Sequence, residues 1–124
     1  MINRPFRTLV LAAACATSLT GAAAGRSAYD GSWSVLIMTS TGDCDRAFRA
    51  GVQISDGFIV SESSGGFNMQ GRVSPNGSVR VSVSAGSQSA AGSGRLTRTT
   101  GSGLWRGRGN AGVCTGTWQA ERRD

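Results

Sequence analysis

The side chains behind most acid–base and nucleophilic catalysis are scarce in this sequence. It contains thirteen arginines, no lysine and no histidine. Without histidine, Ser-His-Asp and Cys-His systems lack their base. His-ligated zinc, copper and haem sites lack their ligand. Without lysine, Schiff-base chemistry, Ser-Lys hydrolysis and phosphate-loop nucleotide binding fall away. Carboxylates remain. Asp43, Asp45 and Asp56 sit in or beside turns, where aspartate is common for backbone reasons. Glu62 and Glu121 are left as the pair to test for a carboxylate-dependent hydrolase, which needs two carboxyls roughly 5–10 Å apart across a cleft. Asp43-Cys44-Asp45 places two acids around a turn, short of the spaced ligands of a calcium loop. The expectation is a non-enzymatic chain with no catalytic residue, no cofactor and no metal site.

Two kinds of residue remain that can bind something. The first is tryptophan, in three Gly-x-Trp elements: Gly31-Ser32-Trp33, Gly103-Leu104-Trp105 and Gly116-Thr117-Trp118. A glycine two positions before a tryptophan shares its strand face and leaves room for the indole to fold over the backbone. Ala90, Gly92 and Gly94 on a neighbouring strand leave more. Trp33, Trp105 and Trp118 are therefore expected as core fillers, with a ligand-lining role as the alternative. The second is arginine. Arg95, Arg98, Arg106, Arg108, Arg122 and Arg123 gather in the last third of the chain and can form one basic patch facing an anionic polymer. The same patch also reads as a solvated edge that discourages aggregation.

The elements that must position these residues begin after a targeting segment. Arg4 and Arg7 precede an uncharged stretch, Leu9 to Leu19, and Ala22-Ala23-Ala24 supplies small residues for cleavage. Residues 1–24 read as a signal peptide, and the destination is periplasmic or secreted. A retained membrane anchor and lipidation at Cys15 are the alternatives, and no transmembrane span is expected in the mature chain. Removing Arg4 and Arg7 takes the formal charge from +6 to +4. Cys44 and Cys114 then remain as an even pair in an oxidising compartment, so a disulfide is expected between them.

Gly25 to Asp30 reads as a flexible leader and residues 31–124 as one β domain. Short alternating runs follow one another, punctuated by Gly, Asn, Asp and Ser. They cover residues 31–39, 46–55, 58–62, 67–73, 78–85, 88–97, 101–108 and 112–122. Val79, Val81 and Val83 alternate most cleanly with polar neighbours. Asp56-Gly57 and Pro75-Asn76-Gly77 are strong turn signals. Eight sequential antiparallel strands predict an all-β fold, a small up-and-down barrel, with a two-layer β-sandwich as the alternative. Closing the barrel pairs the last strand with the first and brings Cys114 towards Cys44.

Several stretches together resemble a group of small exported α-proteobacterial proteins. They are Asp30-Gly31-Ser32-Trp33-Ser34-Val35, Gly92-Ser93-Gly94-Arg95-Leu96, Gly101-Ser102-Gly103-Leu104-Trp105-Arg106-Gly107, and Cys114-Thr115-Gly116-Thr117-Trp118 running on to Gln119-Ala120-Glu121-Arg122-Arg123. That resemblance brings no functional residue with it. The architecture is similar to avidin- and lipocalin-type barrels and to periplasmic metalloprotease inhibitors built on them, whose paired cysteines lie closer in sequence. The expected function is an exported binding or structural module, presenting a barrel mouth or the arginine face. The alternative is a periplasmic inhibitor or accessory subunit of an exported enzyme, using Gly25 to Asp30 as an insertion arm. The partner is an anionic polymer or an exported protein.

Overall fold

The computed structural model describes residues 27–62, 68–110 and 112–123. The expected signal peptide, with Cys15, lies outside them, as do Gly25, Arg26 and Phe67. Eight strands follow in chain order: β1 (Gly31–Thr41), β2 (Ala47–Ser55), β3 (Phe58–Ser61), β4 (Asn68–Val73), β5 (Ser78–Ala85), β6 (Gln88–Leu96), β7 (Thr100–Gly109) and β8 (Gly112–Arg122). Each pairs antiparallel with the next, and β8 pairs with β1 to close a barrel. The barrel, not the sandwich, is the fold. No helix among the described residues is long and apolar enough to cross a membrane.

The turns take the shapes their residues require. Asp56 and Gly57 both have positive φ, 54° and 82°, as a two-residue hairpin between right-twisted strands demands. Gly77 has φ 92°, and a Cβ there would run into the Leu96 carbonyl, so only glycine closes the β4–β5 turn.

The strict alternation of each strand puts one face inside. Apart from Trp33 and Met69, strands β1 to β5 fill the interior mainly with branched aliphatics. The buried core includes Val52, Ile54, Ile59, Val73 and Val79. Strands β6 to β8 fill it differently, with glycines and two indoles. Gly103 pairs with Trp118, and Trp105 pairs with Gly116. A Cβ on Gly103 would lie 2.6 Å from Trp118 Nε1, and one on Gly116 would lie 2.7 Å from Trp105 Nε1. The two Gly-x-Trp elements of β7 and β8 are thus reciprocal. Each glycine makes room for the tryptophan across the ladder, not for the one on its own strand.

One end of the barrel is sealed. Trp33, 1% exposed, lies there, and its indole N–H donates to the Tyr29 carbonyl at 2.8 Å. Residues Ser27–Asp30, expected as part of a loose leader, are tied across this end. The Asp30 carboxylate accepts from Ser27 Oγ at 2.6 Å and from the backbone N–H groups of Asp56 and Gly57. Burial pushes its carboxyl pKa upward, but these bonds and one from the Ser27 backbone outweigh it and hold it below the ordinary 3.8.

Candidate functional site

The other end is the one at which the chain turns through residues 42–46 and 86–87 and at Asn110. The described side chains do not fill the interior there. An apolar cavity of about 360 Å³ runs inward from Phe48, Ala85 and Ala90, between walls that include Ile37, Val83 and Trp105, to a floor of Ile54, Ile59 and Val79. Its size lies in the range of small-molecule sites, roughly 300–1,000 Å³. Phe48 belongs to the inward face of β2 yet is 51% exposed, with no described side chain covering it inside the barrel.

The cavity wall offers no hydrogen-bonding group among the described residues. Trp105 Nε1 donates to the Met38 carbonyl at 2.9 Å, and Trp118 Nε1 donates to the Ser93 carbonyl at 3.1 Å. Both indoles therefore turn carbon towards the interior. Such a space disfavours water, which needs two to four polar partners, and favours an apolar occupant.

The three tryptophans are thus divided. Trp105 and Trp118 line the cavity, and Trp118 is also part of the core. Trp33 lies in the sealed end, away from the cavity wall, so it is core alone. Cys44 and Cys114 are joined, their Cα atoms 6.2 Å apart, at the cavity end of the β1–β8 seam.

The six arginines do not form one patch. Arg95 on β6 and Arg106 and Arg108 on β7 point outward, and Arg98 lies exposed in the β6–β7 turn. Arg122 shares the inward face of β8 with Cys114, Trp118 and Ala120. Its guanidinium donates to the carbonyls of Ala28, Asp30 and Arg98 and stacks 5.3 Å from the Trp33 ring centroid. It is a plug for the sealed end, held by carbonyl oxygens. Arg123 reaches the other way, to a 3.5 Å ion pair with Glu62 above Gly51.

Sequence reasoning missed two arginines, Arg72 on β4 and Arg80 on β5, which face each other directly on the outer surface. A signal was present. No aspartate or glutamate occurs between Glu62 and Glu121, while six arginines do.

The carboxylates are dispersed. Glu62 is engaged by Arg123, Glu121 is exposed on the outer face of β8, and Asp30 holds the β2–β3 turn. No group of three or more His, Cys, Asp or Glu side chains among the described residues could hold a metal ion. Ser27–Asp30 is engaged in closing the barrel, which counts against its use as an insertion arm. Comparison with protein-family models, with curated proteins and with solved structures finds no match for this chain.

Proposed function

We propose that this protein is an exported, non-enzymatic binding module that takes a small apolar molecule into its barrel through the open end. The observation that carries the reading is the 360 Å³ cavity whose indole N–H groups are already spent on backbone carbonyls. An occupant would gain from burial alone, at about 25 cal/mol per Å² of apolar surface removed from water. The sealed end gives the cavity a floor, so a ligand enters and leaves by one route. Export is supported by the Cys44–Cys114 disulfide, a bond that persists in oxidising compartments.

The test uses the neutral dye N-phenyl-1-naphthylamine, which brightens in apolar surroundings. Saturable brightening with quenching of Trp105 is expected. Val81→Trp, on the cavity wall, should fill the space and abolish the signal while the far-ultraviolet circular dichroism keeps its β-form. Equal dye binding by the wild type and Val81→Trp overturns the reading.

A further inference from the structure

The outer surface of β4, β5 and β6 carries a second, polar feature. A shallow groove of about 1,040 Å³ runs over these strands, and its outward positions include the small residues Ser82, Ala91 and Ser93. Its only charged groups are Arg72 and Arg80, with hydrogen-bonding side chains beside them, among them Gln70, Ser82 and Ser93. The two arginines are directly opposed across the β4–β5 ladder. Like charges in that position are destabilising. Arg72 swings over the Phe58 ring, 4.9 Å from its centroid, on the side away from Arg80. Neither arginine has an ion-pair partner among the described residues.

This one-sided charge extends beyond the groove. Strands β4 to β7 and the turns between them hold six arginines and no acid, whereas the rest of the barrel wall carries Glu62 and Glu121 among its arginines. A surface that holds opposed cations without a counter-charge is complementary to an anion.

We infer that the groove over β4, β5 and β6 binds an anionic polysaccharide, with Arg72 and Arg80 pairing to its carboxylate or sulfate groups. The serine and glutamine side chains then meet sugar hydroxyls, and the small outward side chains of Ser82, Ala91 and Ser93 let the chain approach the backbone. Apart from Phe58 beneath Arg72, 52% exposed, no large apolar side chain is exposed at the groove, which suits a polymer strand better than a membrane surface. The most exposed large apolar residue, Leu104 at 65%, lies outside it on β7. This site is separate from the cavity and does not depend on the apolar-ligand reading.

The experiment titrates the purified protein against polygalacturonate and dextran sulfate, with uncharged dextran as control, over a series of salt concentrations. Binding to the two polyanions and not to dextran is expected, weakening as salt rises. The double variant R72Q/R80Q should lose at least about tenfold in affinity and show a shallower salt dependence. Because both side chains are exposed, its circular dichroism and its N-phenyl-1-naphthylamine titration should match the wild type. R46Q/R49Q, which removes the same charge from the first β-hairpin, should bind as the wild type does. Equal loss in both double variants would reduce the effect to net charge and overturn the site. So would arginine-dependent binding to phosphatidylglycerol vesicles without binding to either polyanion.

Discussion

The two ends of the barrel are made from the same alternating strands, and they differ in what the chain lays across them. At the sealed end Ser27–Asp30 crosses the opening, Arg122 turns inward to collect three carbonyls, and Trp33 fills the space beneath. At the open end the inward positions carry Phe48, Ala85 and Ala90, and no described side chain spans the gap. There the seam between first and last strands is also tied covalently, by Cys44–Cys114. Close packing is concentrated towards one end, and the other is hollow.

The largest expected effect tests that asymmetry directly. Trp33→Ala should cost about 3–5 kcal/mol, the range for emptying a large buried aromatic. Phe48→Ala, at the same kind of inward position, should cost less than about 1 kcal/mol. Urea unfolding followed by circular dichroism gives both values, and similar losses would mean that the ends are not different in kind. Next in size is the disulfide. Its cysteines are 70 residues apart. Replacing both with alanine should remove about 2–4 kcal/mol, mainly by freeing the unfolded chain. If instead the loss is negligible, packing holds the open end too, and the contrast weakens.

The smallest effect belongs to Asp30. Its pKa is lowered on folding, so its stabilisation is fully present above about 3.8 and fades as pH falls through the lower folded-state value. Asp30→Asn should therefore cost up to about 1 kcal/mol near neutral pH, because the carboxyl is largely solvated. The gap between variant and wild type should narrow in acid below that value. A gap that is constant with pH would show that the carboxylate charge has no part in holding the sealed end.

Strand positions were legible in the sequence because period-two alternation and turn chemistry agree at the described junctions, as at Asp56-Gly57 and Asn76-Gly77. The runs expected at 78–85 and 112–122 coincide with β5 and β8, and the others differ by one or two residues at an end. The same alternation also contained the fate of Arg122. Counting by twos from Cys114 through Trp118 and Ala120 places it inside. Its charge argued for the surface and was the wrong guide, because carbonyls at a barrel end solvate a guanidinium in place of water. The pairing of each tryptophan with a glycine across the ladder was not legible. It depends on the register of β7 against β8, which a two-residue turn sets and no side-chain pattern announces. Nor could alternation tell which end is hollow, since that depends on how far Ser27–Asp30 folds back.

The closed β1–β8 pairing has a further consequence. An even number of antiparallel strands returns the chain to the side from which it set out, so Ser27 and Arg123 both leave the barrel at its sealed end. A tether attached to either would hang beneath the floor of the cup. Held that way to any support, the domain would present its mouth outward, free to load and unload while moored.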